Sequence, residues 1–257
     1  VAAVSSKDKS TLHYVWIHTY DDSLLLRKQY EKADKVVCVS KGASIKLMKD
    51  IPSVKAADYC YNPIDENIIL ERASESIEYP KVHKGLKFIT VGRLAEEKGY
   101  YRLIDILSRL KNEGYDFSLV VIGNGPEREK LIKHTNELNM TDRITFLFEQ
   151  KNPFKYVVKS DAFICSSYEE GYSTACTEAC ILNVPVITTS VGGASEIIED
   201  AECGELCDLS DESLYKSLKN TLDNPQLIDE WKNKLKETKK RFYASERINR
   251  LYGILDL

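Results

Sequence analysis

Residues 161–188, DAFICSSYEEGYSTACTEACILNVPVIT, decide the fold. The runs 161–166 and 184–188 are short and almost continuously apolar, without polar alternation. That pattern suits strands covered on both faces. Between them, 173–182 reads as a helix. It closes at Asn183, which tolerates the left-handed conformation, and Pro185 blocks continuation. Strand, helix, strand is a βαβ unit, and it implies a parallel sheet with right-handed connections.

The same rhythm extends upstream. Strand-like runs lie at 86–91, 117–122 and 143–148. Residues 101–110 carry Leu103, Ile106, Leu107 and Leu110 at helical spacing, and 127–138 reads as a helix with Pro126 at its first position. Before residue 62 the pattern is briefer, with strands at 13–17 and 35–39 and helices at 24–31 and 41–48. Three helical segments, 211–222, 225–242 and 245–255, close the chain. The expected class is α/β. The expected units are a partial Rossmann-like domain at 1–62, a polar hinge at 63–85, a main domain at 86–242 and a terminal helix at 243–257.

Composition bounds the function. With 257 residues, 43 % hydrophobic and 30 % charged, the chain can build a core, which excludes disorder as its main state. A net charge of −4 gives no global drive toward nucleic acid. No apolar run approaches the roughly 20 residues of a membrane span, and no leader pattern is visible in a chain that begins Val-Ala-Ala-Val, as a trimmed piece would. The seven cysteines are odd in number and scattered, and are expected to be reduced, in a cytoplasmic setting. Cys203 and Cys207 lack a second ligand pair, so zinc is not expected.

In an open parallel sheet, ligands bind beyond the carboxyl ends of the strands. After 86–91 come Arg93 and Lys98, two cations on a loop with Gly92 and Gly99 at its ends. Arg forks onto two phosphate oxygens and Lys adds a point charge, so the pair suits a diphosphate; a solvated charged loop would read the same. After 117–122, Gly123-Asn124-Gly125 resembles the start of a dinucleotide fingerprint, but Arg128 replaces the third glycine, and a tight strand-to-helix turn explains it equally. After 161–166 come Glu170, Gly171, Tyr172, Ser173 and Thr174, then Glu178 two turns into the helix. The helix start favours a phosphate, and a carboxylate accepts two hydroxyls of a sugar or ribose. As plain structure, Glu170 is a surface or capping acid and Glu178 a helix-face acid. Gly192-Gly193 makes a fourth turn of this kind.

Together, Gly92-Arg93-Leu94, Glu97-Lys98-Gly99, Glu170 and Glu178 eight residues apart, Val184-Pro185-Val186-Ile187 and Gly192-Gly193 resemble the donor domain of retaining glycosyltransferases of family 4, the group 1 glycosyl transferases. Asn62-Pro63-Ile64-Asp65 and Val15-Trp16-Ile17-His18 are similar to that family's interdomain segment and acceptor-side strand end. The resemblance implies a GT-B fold of two Rossmann-like domains, here truncated at its N-terminal side. It implies that Arg93 and Lys98 hold the donor diphosphate, that Glu178 binds ribose, and that Glu170 and His18 meet the transferred sugar. Gly123, Gly171, Tyr172, Ser173 and Thr174 would complete the donor site. It implies a UDP- or GDP-sugar donor, a glycan or lipid-linked acceptor, surface-polysaccharide synthesis, and neither cofactor nor metal; the chain has no Asp-x-Asp.

Two other readings stand beside it. One is a nucleotide-sugar binding module without catalysis. The other is an NAD-dependent oxidoreductase, indifferent to loss of Arg93 or Lys98. The stretch 231–242 places Trp231, Leu235 and Phe242 along one helical face beside six cations. It reads either as a solvated face over a core stripe or as a peripheral contact with the inner face of a membrane. His83 and His134 lie in polar surroundings and receive no role.

Overall fold

A computed structural model describes residues 12–18, 23–80 and 84–255. Residues 1–11 and His83 lie outside this set.

The first sheet holds β1 (Tyr14–Ile17), β2 (Lys35–Cys38) and β3 (Ala57–Tyr59), all parallel and in that order. The crossovers are α1 (Leu24–Lys32) and α2 (Lys41–Asp50), the latter capped by Ser40. The short β3 has no apolar run, and its sequence gives no strand signal. Next, α3 (Glu66–Ala73) is capped by Asp65, whose carboxylate accepts from the Asn67 and Ile68 amides. This corrects the reading of 63–85 as a polar linker throughout. Ile69 and Ala73 form a narrow stripe, four residues apart, that docks on the larger unit.

The larger sheet has the order β6-β5-β4-β7-β8-β9, all parallel. Its strands are β4 (Leu86–Val91), β5 (Phe117–Ile122), β6 (Ile144–Phe148), β7 (Ala162–Cys165), β8 (Val186–Thr189) and β9 (Gly204–Cys207). The five expected strands are all present. The unforeseen β9 is an edge strand carrying Gly204 and Glu205, residues of poor strand propensity.

Helices cover both faces. On one side α4 (Tyr100–Asn112), α5 (Arg128–Glu137) and α9 (Asp211–Asp223) bury Leu103, Leu107, Leu131, Leu214 and Leu218. On the other lie α6 (Phe154–Val157), α7 (Thr174–Ile181) and α8 (Ala194–Ile198). Asn183 has φ +61°, the left-handed closure its side chain tolerates. Pro126 does not open α5; it sits in the turn before the Glu127 cap.

The stretch 225–242 divides into α10 (Gln226–Thr238) and a 3₁₀ turn, Lys239–Phe242. Leu235 and Phe242 are buried in the core and Trp231 packs on it. The apolar stripe is therefore core, which overturns its reading as a membrane-facing surface. Lys234 and Arg241 on its outer side pair with Glu202 and Asp200. Finally α11 (Ala244–Leu255) returns to the first sheet, where Ile254 packs with Val37 and Cys60. All seven cysteines are free and buried.

Candidate functional site

The order of the larger sheet reverses between β4 and β7, which are neighbours in space but not in sequence. A crevice opens at such a reversal beyond the carboxyl ends of the strands. A cavity of about 360 Å³ lies there, lined by Gly92, Arg93 and Lys98 after β4 and by Ser167, Glu170, Tyr172, Ser173 and Thr174 after β7. Six of the residues expected at the donor site thus share one wall.

The charges are arranged tightly. Lys98 Nζ lies 2.6 Å from Glu170 Oε1, and Ser167 Oγ donates to the same oxygen at 2.8 Å. Both side chains of the pair are largely shielded, which strengthens their attraction. Arg93 is more exposed and pairs with Glu97. Ser173 caps α7 through the Cys176 amide.

Sequence reasoning missed the residue that holds this wall in place. Arg102, on α4, is only 3 % exposed. Its guanidinium donates to the carbonyls of Ser166, Ser167 and Leu209, at 2.8 Å from Nε to Ser166 and 2.7 Å to each of the others. The Tyr168 ring covers it at 3.8 Å. Arginine inside an apolar helical repeat was the available signal.

Arg93 also lines a second cavity, of about 300 Å³, with Gly123, Asn124, Glu149, Gln150 and Pro153. In register, Val91 stands opposite Ile122, so the loops after β4 and β5 start side by side. Gly123 has φ +149°, and a Cβ there would stand 1.8 Å from the Gly92 carbonyl oxygen. The glycine motif therefore serves loop-to-loop packing first. Its turn reading and its place at a cavity both hold. Gly123→Ala is expected to lower stability by more than about 2 kcal/mol. Chemical denaturation measures this, and a variant as stable as the parent would show that the loops do not cross so closely. Phe148, at φ +53°, lies under the Arg128 guanidinium at 3.7 Å and turns the chain into the wall at Glu149.

A third cavity, of about 260 Å³, shares Glu170 with the first and adds His18, Lys46, Gly171, Gly192 and Gly193. His18, at the exposed end of β1, thus faces the same space as Glu170. Gly192 is required here, since a Cβ would lie 2.3 Å from the Glu170 carbonyl oxygen. Across this junction the Glu196 carboxylate accepts from the Lys41 and Gly42 amides at 2.8 Å each, at the start of α2. The favourable end of the helix dipole meets a negative charge there.

Two expected ligand-binding residues sit differently from the rest. Tyr172 touches the first cavity, but its ring stacks on Tyr61 at 4.6 Å and its hydroxyl bonds Arg247 at 3.3 Å. It works as a joint between the sheets. Glu178 lies one turn beyond Thr174 on α7 and lines none of the three cavities. Burial without a compensating charge pushes its carboxyl up to about 7. His134, away from these cavities, bonds Asp105 at 2.6 Å.

Residues 71–241 match the family described as glycosyl transferases group 1, and the chain belongs to that family. A Campylobacter jejuni N-acetylgalactosamine-N,N'-diacetylbacillosaminyl-diphospho-undecaprenol 4-alpha-N-acetylgalactosaminyltransferase is 32 % identical over 224 residues, covering 86 % of this chain and 60 % of its own. The Bacillus anthracis N-acetyl-alpha-D-glucosaminyl L-malate synthase is 27 % identical over 189 residues, covering 73 % of this chain and 49 % of its own. The chain thus spans about half to three fifths of these relatives. Among solved structures, a Rickettsia africae glycosyltransferase superposes with a TM-score of 0.77 at 18 % identity, covering 94 % of this chain and 69 % of that one. The Anabaena protein HepE in complex with UDP superposes at 0.76 and 16 % identity, covering 95 % and 71 %. The α/β fold is that of the GT-B glycosyltransferases.

Proposed function

We propose that this chain carries the donor site of a family 4 glycosyltransferase that moves a sugar, with retention, from a UDP- or GDP-sugar to a glycan or lipid-linked acceptor in surface-polysaccharide assembly. One observation carries the reading: three cavities in a row, joined through Arg93 and through Glu170. A nucleotide-sugar has three parts in the same order. Its nucleoside would occupy the cavity at Gly123 and Glu149. Its diphosphate would lie against Arg93, Lys98 and the amides at the start of α7, and its sugar would reach Glu170 and His18. Fixed cations at the departing diphosphate stabilise charge that grows in the transition state, and this role would need no metal. The C. jejuni relative is named for transfer to a diphospho-undecaprenol-linked sugar, which supports a lipid-linked acceptor.

The test is a thermal-shift and calorimetry panel with UDP, GDP, ADP, NAD and nucleotide-sugars. A ligand at a hundred times its dissociation constant adds about 2.7 kcal/mol. One nucleoside diphosphate and its sugars should shift the melting temperature, and NAD should not. Lys98→Ala should weaken that diphosphate roughly 10- to 100-fold by removing a charge-assisted bond. A shift with NAD alone, or Lys98→Ala binding as well as the parent, would overturn the reading.

A further inference from the structure

We propose that the outer edge of β9 takes up, as a seventh strand, an extended segment of a partner protein that alternates basic and apolar residues. In the ladder with β8, the Val186 amide donates to the Cys203 carbonyl and the Ser190 amide to the Cys207 carbonyl. Backbone groups alternate along a strand, so Cys203, Glu205 and Cys207 face β8. The amides and carbonyls of Gly204 and Leu206 therefore point away from the sheet, and they have no partner among the described residues. An open edge of this kind is a template for another strand. The helix α10 passes round it without closing it. Ile228 and Trp231 pack with the core on the α4 side of the sheet, and Leu235 packs with the core on the α7 side. Between helix and edge lies a cavity of about 730 Å³, lined by Gly204, Glu205 and Leu206 on one side and by Glu230, Trp231 and Glu237 on the other. It shares no residue with the cavities at Arg93 and Glu170.

The walls select the occupant. Successive side chains of β9 lean to opposite faces. Leu206 packs on the α7 side, where Ile198 also lines the cavity. Cys207 packs on the α4 side, so Glu205, two residues before it, leans that way too, with Trp231. One face of an added strand thus meets apolar groups. The other meets a carboxylate and an indole, which both attract a cation. Glu199, Glu202, Glu230 and Glu237 complete the rim. Among the lining residues Lys234 is the one cation; it pairs with Glu202 at 2.6 Å and leaves the other four acids without an ion pair among the described residues. Beside it on α10, Lys232 pairs with Asp161 and Lys236 bonds Asn233 at the rim. The acids do not converge as metal ligands, since no group of three among the described residues could hold an ion. Dispersed acids beside open backbone groups match a strand whose main chain supplies affinity and whose alternate side chains supply specificity.

The test is fluorescence anisotropy of a labelled Lys-Val-Lys-Val-Lys-Val peptide with the full chain, without nucleotide or sugar, so that it reads independently of the donor site. The peptide should bind at low salt and weaken as salt rises. A Glu-Val-Glu-Val-Glu-Val peptide should not bind. Two further Lys-Val peptides carry N-methyl groups on alternate amides, in opposite frames. At least one of them should bind roughly tenfold more weakly, because its methyls remove the hydrogen bonds to Gly204 and Leu206. Glu230→Lys with Glu237→Lys should weaken binding roughly tenfold. Glu129→Lys with Glu137→Lys, the same charge change on α5, should leave it intact. All four positions are exposed, which spares the fold. Failure of the Lys-Val peptide to bind, equal binding of the Glu-Val peptide, undiminished binding in both methylated frames, or equal loss with the α5 pair would overturn the proposal. So would full displacement by spermine at matched charge, which would mark a plain cation site.

Discussion

Arg102→Met is expected to be among the most destabilising single substitutions in this chain, and to deform the cavity lined by Lys98 and Glu170 without altering any residue that lines it. The guanidinium is buried and compensated almost wholly by backbone, through the carbonyls of Ser166, Ser167 and Leu209. Its nearest carboxylate, Asp211, stands 3.7 Å away and is mostly exposed, so it contributes little. Methionine fills much of the volume but leaves the Ser166 and Leu209 carbonyls without this donor, while the Ser167 carbonyl keeps the Thr189 hydroxyl at 2.6 Å. Each buried acceptor so stranded costs about 1–3 kcal/mol. Allowing for relaxation, the loss is about 3 kcal/mol or more, or roughly 6–12 °C of melting temperature for a chain of this size. The loop at 166–170 carries Ser167 and Glu170, so it would loosen together with the Lys98 ion pair. Nucleoside diphosphate affinity should then fall in step with stability. Arg102→Lys restores one donor but not the fork, and should recover part of both. Equal affinity in the methionine and parent chains, measured by calorimetry below the melting transition, would show that the loop holds its shape unaided.

The contrast between Arg102 and Lys98 shows what the sequence could and could not tell. The apolar runs from Leu86 to Thr188 announced their strands because residues covered on both faces leave little room for polar alternation. Lys98, Glu170 and His18 were legible because strand ends are where side chains face a ligand, and a family pattern marks their spacing. They converge on joined cavities through sheet order, which depends on the crossover from β6 back to β4's far side. No local pattern states that crossover. Arg102 belongs to long-range structure too: its partners lie 64, 65 and 107 residues away. Gly123 was visible as a turn, but its true constraint is the Gly92 carbonyl opposite, set by strand register. The helix at Glu66–Ala73 escaped because a two-residue apolar stripe carries almost no periodic signal. The stripe of Trp231, Leu235 and Phe242 left two readings open, since periodicity shows that a helix has an apolar face and not what covers it.

Glu178→Gln should stabilise the chain at pH 8 and leave it nearly unchanged at pH 4.5. Burial raises the carboxyl of Glu178 from an ordinary 4.5 to about 7, and it has no compensating hydrogen bond or ion pair among the described residues. The folded chain therefore binds this proton more tightly than the unfolded chain. The stability that depends on the bound proton is fully present below pH 4.5 and lost as pH rises through about 7. A shift of this size corresponds to about 3 kcal/mol. Glutamine is neutral throughout, so the variant should gain most of that at high pH, roughly 6–12 °C in melting temperature. A carboxylate kept in a place that disfavours its charge points to use rather than structure. If it accepts the ribose hydroxyls, as the family resemblance implies, their donation favours the ionised form. Nucleoside diphosphate binding should then tighten as pH rises toward 7 and release a proton, seen as a buffer-dependent heat. Glu178→Gln should remove that part of the heat and weaken binding, while the remaining pH dependence reports the phosphate's own titration. A variant more stable at pH 8 that binds as tightly as the parent would locate the ribose elsewhere and leave Glu178 as an unexplained buried acid.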